Sequence, residues 1–185
     1  MLQAPGKKYV YVVGDFNDWT PKADYQLKQD GEYFWITLSD LTKGEEYAFQ
    51  YLVDGSVYVA DPYTDKVLDP WNDQYIESTT YPNLKPYPTG KAEGIVSVLQ
   101  TGQAAYNWKV KNFERPASEK LVIYEMLIRD FTEEHTFNAA KEKLEYLKNL
   151  GVNAIELMPI NEFEGNTSWG YNPSFYFAVD KYYGT

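Results

Sequence analysis

The chain has no cysteine among its 185 residues, which excludes disulfide staples, thiol catalysis and thiolate metal centres. Its one histidine, His135, cannot build a zinc site of several imidazoles. Positive charge is scarce: 17 Lys and Arg stand against 27 Asp and Glu, for a net charge of -10. No basic run interrupts that balance. Such a surface repels polyanions, so neither nucleic acid nor an anionic membrane is expected as a partner. No apolar run approaches the roughly 18 residues of a membrane span, and Met1-Leu2-Gln3 opens no signal-peptide pattern. What is plentiful is aromatic: 18 Tyr, 9 Phe and 5 Trp make up 17% of the chain. Tyrosine joins a flat apolar face to a polar tip, which suits half-buried strands and sugar-binding surfaces alike.

The pattern divides the chain into three stretches. Residues 1–85 have the period of strands, with runs at 9–13, 32–38 (EYFWITL), 46–53 (EYAFQYLV) and 56–60. Turn signals at Gly14, Gly31, Gly44 and Gly55 separate them, and Asp54-Gly55 marks a hairpin. The spacing predicts a small all-β, immunoglobulin-like sandwich. Residues 86–115 form a linker punctuated by Pro86, Pro88, Gly90 and Gly94, with one strand-like run at 95–99. From 116 to 185 the grammar is different. The near-continuous apolar run 121–128 (LVIYEMLI) predicts a strand buried on both faces. A helix over 137–150 follows, with Ala140, Leu144, Leu147 and Leu150 on one stripe, Thr136 or Asn138 as its cap and Gly151 at its end. Residues 152–158 (VNAIELM) complete a parallel βαβ unit.

The stretch Gly14-Asp15-Phe16-Asn17-Asp18-Trp19, with Tyr51-Leu52-Val53-Asp54-Gly55 and Ala60-Asp61-Pro62, resembles a carbohydrate-binding module of family 48. The later stretch resembles the opening of the catalytic barrel of glycoside hydrolase family 13, the α-amylase family. The residues that carry this are Ile123-Tyr124-Glu125-Met126-Leu127-Ile128-Arg129-Asp130-Phe131-Thr132, Glu156-Leu157-Met158-Pro159-Ile160, Ser168-Trp169-Gly170-Tyr171-Asn172-Pro173 and Ala178-Val179-Asp180-Lys181-Tyr182-Tyr183-Gly184-Thr185. The resemblance implies a sandwich followed by the first βαβ portion of a (β/α)₈ TIM barrel, incomplete because such a barrel takes about 250 residues. It also implies that the family's catalytic acids and calcium-ligand asparagine lie beyond Thr185. The expectation is the N-terminal part of a retaining, α-glucan-acting enzyme of hydrolase or debranching type, itself inactive. A non-catalytic glycogen- or starch-binding module and a 1,4-α-glucan branching enzyme are the alternatives. The expected partner is an α-glucan polysaccharide or oligosaccharide, with self-association of the truncated barrel. No cofactor, metal ligand or catalytic residue is expected in this chain; calcium is a possibility that the resemblance leaves to the full-length parent.

Four residues are the substrate-binding candidates. Tyr171 matches the family tyrosine that stacks on the sugar before the cleaved bond, where a flat electron-rich face meets axial C–H groups. Trp169 and Asn172 flank it. Trp19 matches the module's glucan platform, although Gln50, Val57 and Tyr58 stand where strong binders carry a lysine and a second Trp, and a packing role competes with binding. Glu162 and Glu164 follow the second barrel strand and read as solvated loop acids, because i,i+2 spacing in a loop fixes no geometry for acid–base work. Glu125, in a strand expected to be buried, reads as a structural partner of Arg129. His135 reads as a solvated loop residue. Asp15, Asn17 and Asp18 lack the glycine and glutamate of a calcium loop, and Asn166-Thr167-Ser168 is a formal glycosylation acceptor.

Overall fold

The computed structural model describes residues 1–185, which divide into two compact units. One comprises residues 1–74, 85–103 and 175–178, and the other residues 75–84, 104–174 and 179–185. No helix is long and apolar enough to cross a membrane.

The first unit is built from short strands: β1 (Leu2–Gln3), β2 (Val10–Gly14), β3 (Lys28–Asp30), β4 (Tyr33–Trp35), β5 (Glu46–Val53), β6 (Val57–Val59), β7 (Val67–Leu68) and β8 (Val96–Gln100). They form a three-stranded sheet in the order β1-β4-β3 and a five-stranded sheet in the order β2-β5-β8-β7, with β6 also paired to β5. Alternation explains the packing. Val10 and Val12 of β2, Phe34 of β4, and Phe49, Tyr51 and Val53 of β5 point inward and meet Leu2 and Leu27 in one core between the sheets. Tyr33 and Trp35, on either side of Phe34, stay exposed. Asp54 and Gly55 both adopt positive φ (48° and 71°), the primed turn that matches strand twist, and so join β5 to β6. The Asp54 carboxylate accepts from the Lys8 and Tyr9 amides at 2.8 and 3.3 Å, which ties β2 to that turn.

Two expectations change here. The run 32–38 is a strand only over Tyr33–Trp35. The supposed linker supplies β8, whose residues pair with β5 on one side and β7 on the other. Val96 and Val98 are buried there, because an alternating VSVLQ segment fills a gap in a sheet as readily as any strand of the first stretch.

In the second unit β9 (Ile123–Met126) and β10 (Ala154–Leu157) pair in parallel. Between them come α1 (Ile128–Phe131), α2 (Phe137–Glu142) and α3 (Leu144–Asn149). Thr136 caps α2, its hydroxyl accepting from the Ala139 amide at 3.2 Å. The expected single helix is thus two, separated at Lys143, where φ is -91° and ψ is 0°. Of the predicted stripe only Ala140 and Leu147 are buried, while Leu144 and Leu150 are exposed. The two strands are apolar enough for burial on both faces, but one βαβ unit cannot cover them, and Ile123, Tyr124, Ile155 and Leu157 are exposed. A two-stranded sheet is too narrow to cover more. Met126 and Ile128 reach a core with Ala140, Phe163 and Tyr183. Beyond β10 come β11 (Asn161–Phe163), in this unit, and β12 (Pro173–Val179), whose residues 175–178 belong to the first.

Candidate functional site

Pro159 ends β10, and the segment running from it to Pro173 carries three of the four candidate residues. Gly170 fixes how this segment turns. Its φ is +89°, and a Cβ there would sit 2.1 Å from the Pro159 carbonyl oxygen. Only glycine satisfies both the left-handed backbone and that approach. The preceding residues are tied to β9 and α1. Arg129 donates from Nη1 to the Ser168 carbonyl at 3.0 Å, while its Nε and Nη2 grip Asp130 at 2.7 and 3.1 Å. Hydrogen bonding to Arg129 holds the Asp130 carboxyl below its ordinary range, and Asp130 in turn raises the Arg129 guanidinium. The Ser168 hydroxyl accepts from the Gly170 amide at 3.0 Å and donates to Oδ1 of Asn172. That bond commits the Asn172 side chain to shaping the loop.

The consequence is an aromatic pair on the surface. Trp169 is 63% exposed and Tyr171 64%. The Tyr171 hydroxyl donates to Glu125 Oε1 at 3.5 Å. Glu125 is therefore neither buried nor the partner of Arg129, as the sequence reading had it. The exposed strand leaves its carboxylate open to solvent, and Arg129 is occupied by its neighbour Asp130.

Of the remaining expectations, that for Glu162 is corrected, while Glu164 and His135 are exposed as read from the sequence. Glu162 is no solvated acid: it is buried and ion-paired with Lys181 Nζ, with side-chain exposures of 8% and 2%. Its place in β11 beside the Phe163–Tyr183 aromatic contact takes it out of water. His135 has φ +59°, bonds through Nδ1 to the Arg129 carbonyl and stacks on Tyr182 at 6.3 Å. It anchors a turn.

Trp19 is 8% exposed, and its indole N–H donates to Asp15 Oδ1 at 3.1 Å. The other oxygen of Asp15 accepts from the Ala48 amide at 2.9 Å and pairs with Lys85 at 3.0 Å. Asn17 is buried, accepting from the Gly14 amide and donating to the Val12 carbonyl. Gln50 is 1% exposed and donates to the carbonyls of Glu93 and Ile95 at 2.6 and 2.9 Å. The Asp15, Asn17 and Trp19 side chains thus close a turn against the sheet, and the Trp19 ring is turned into protein.

Two surfaces were not foreseen. Tyr9 and Tyr11 make an edge-to-face pair at 5.9 Å and line a depression of about 350 Å³ with Pro21, Gln26 and Leu52. The alternation that buries Val10 and Val12 had placed both tyrosines on the opposite face. In the second unit a cavity of about 570 Å³ is lined by Tyr75, Glu77, Glu133, His135, Glu142 and Tyr182, among others. It unites residues some sixty apart in sequence, which local pattern does not link.

Comparison with known proteins gives the site its context. No family model matches the chain. A malto-oligosyltrehalose trehalohydrolase of Saccharolobus solfataricus is 32% identical over 181 residues, which is 91% of this chain and 28% of that protein. A 1,4-α-glucan branching enzyme of Clostridium perfringens is 31% identical over 192 residues, covering 98% of this chain and 26% of the enzyme. Among solved structures, a putative α-amylase from Salmonella typhimurium superposes with a TM-score of 0.71 at 26% identity, over all of this chain and 26% of that one. The GBS pullulanase SAP, solved in complex with maltotetraose, shares the fold at a TM-score of 0.65 and 22% identity, over 98% of this chain and 27% of that one. The chain thus spans about a quarter of the length of each of these four proteins.

Proposed function

We propose that this chain supplies the N-terminal sandwich and the opening of the catalytic barrel of an α-glucan-acting enzyme of the α-amylase family, one that works with retention of configuration. The sandwich corresponds to a family 48 carbohydrate-binding module, and β9, the helices and β10 to the first βαβ portion of a TIM barrel. The partner is an α-glucan or a maltooligosaccharide. Tyr171 is the sugar-stacking residue, with Trp169 beside it and Asn172 shaping the loop. The observation that carries this reading is the Tyr171 ring, exposed yet fixed at its base by Gly170 and Ser168. The names of the relatives support the substrate class.

Burial of Trp19 and Gln50 favours a packing role for the first unit over glucan capture by those residues. A branching transferase is the second reading, favoured by the Clostridium relative at almost the same identity as the trehalohydrolase. By itself the chain is expected to be inactive, since the family resemblance assigns none of its residues as a catalytic acid and Glu162 is moreover paired with Lys181. It is also expected to self-associate through the exposed faces of β9 and β10. Titration with maltotetraose, followed through the indole signal of Trp169, tests the central claim. Tyr171→Ala is expected to weaken binding about tenfold, roughly 1.4 kcal/mol, and Trp19→Ala to leave it unchanged in any fraction that folds. Equal binding by Tyr171→Ala, or release of sugar from starch by the chain alone, would overturn the reading.

A further inference from the structure

We infer that Glu125 is a positioning residue that sets the attitude of the Tyr171 ring; the inference rests on the sugar-stacking reading of Tyr171 only for its functional meaning. The ring is fixed at its near end by the backbone. Gly170 lies against the Pro159 carbonyl with no space for a side chain, and the Ser168 hydroxyl holds the Gly170 amide. That leaves rotation about the two side-chain torsions of Tyr171 as the freedom still open. The Glu125 carboxylate closes it, accepting the phenol at the far end. A ring pinned at backbone and at tip presents one face at one tilt, so a ligand that stacks on it meets less ordering cost.

The strand explains why Glu125 is available for this. In β9 the neighbouring Met126 turns into the core beneath, so alternation sends Glu125 to the opposite face. The parallel register sets Glu156 of β10 directly beside Glu125. Two carboxylates on one face repel each other, which favours a hydroxyl donor over a second anion as the partner of Glu125. The only cation close along β9 and α1, Arg129, is held by Asp130 and by the Ser168 carbonyl. Glu125 and Arg129 therefore hold opposite ends of one short segment, the tip of Tyr171 and the backbone of Ser168.

The test uses the whole chain with ¹³C-labelled tyrosine and phenylalanine rings, so that the ring at position 171 is read in every variant, by NMR relaxation without sugar and then in titration with maltotetraose. Glu125→Leu is expected to loosen the Tyr171 ring and to weaken maltotetraose binding about fivefold. Glu125→Gln keeps the acceptor oxygen and is expected to stay within twofold of the parent on both readouts. Tyr171→Phe, which removes only the hydroxyl and carries the test if the leucine variant does not fold, is expected to match Glu125→Leu. The double variant is expected to be no worse than either single one, the mark of a shared contact. An unchanged ring in Glu125→Leu or Tyr171→Phe, or additive losses in the double variant, would overturn the inference. If the ring loosens as expected while maltotetraose binding ignores Tyr171→Ala, positioning stands and the sugar-stacking reading fails.

Discussion

The two units solve the same problem with different chemistry. In the first, two sheets close over a continuous apolar layer that runs from Leu2 through Val10, Phe34 and Tyr51 to Val53, and its charged groups work at turns and edges. In the second, the buried apolar set is small, centred on Met126, Ile128, Phe163 and Tyr183, and a paired Glu162 and Lys181 sit among the buried residues with Asp180. Apolar side chains that a core would normally take, such as Ile123, Ile155 and Leu157, face outward instead. The lesson is that exposed apolar strands and buried charges occur together. Where a sheet is too narrow to exclude water over an area, a few specific polar contacts must fix the geometry.

The sharpest way to break this contrast is to remove one partner of the buried ion pair. Lys181→Met leaves the Glu162 carboxylate in a dry site, and the expected cost is about 3–5 kcal/mol. Urea denaturation with amide exchange read at residues 161–163 would measure it. A cost near zero would show that apolar burial alone holds the second unit, as it holds the first. The matching change in the sandwich is Phe34→Ala, which opens a cavity at a residue 1% exposed. It is expected to cost about 3–4 kcal/mol, slightly less because some collapse of the sheets offsets the loss.

The smallest effect concerns buried phenols. Burial, reinforced by the charge of Asp180, pushes the Tyr183 hydroxyl up to about 12. Burial also raises Tyr51, helped by Asp61, which accepts its hydroxyl at 3.0 Å. Below the unfolded value of about 10 both phenols are neutral in either state and their contribution is complete. As pH rises from there toward 12, the unfolded chain ionises first and stability falls. Tyr183→Phe is expected to flatten that alkaline decline in the second unit. At neutral pH it should change stability by less than about 1 kcal/mol, since the hydroxyl has no hydrogen-bond partner in the protein. Denaturation curves at pH 7, 10 and 11.5 would show this, and an undiminished alkaline loss in the variant would contradict it.

The sequence made the sandwich legible because its signals are local. Alternation in 46–53 and the Asp54-Gly55 turn need no knowledge of what lies across the core. β8 was harder, because prolines and glycines on both sides disguised a strand as a connection. In the second unit, the apolar runs marked β9 and β10 as strands, and their number already implied uncovered surface, since burial depends on how many strands surround them. The same dependence explains the candidate site. The exposed pair Trp169 and Tyr171 could be read from the Gly170-centred segment, whereas the Glu125 contact joins residues 46 apart. For Trp19 the motif left packing and sugar binding both open, with Gln50, Val57 and Tyr58 favouring packing. The structure bears out packing: Trp19 is buried and its indole N–H is held by Asp15.

That captured indole gives the molecule a built-in optical reference. Trp19 is sealed by its neighbours, while Trp71, Trp108 and Trp169 are 60%, 71% and 63% exposed. Its emission should be blue-shifted and almost blind to iodide, against a red-shifted background that iodide quenches freely. A ligand that shields Trp169 would then register as a loss of quenching, with an internal signal in the same spectrum reporting that the sandwich is still folded.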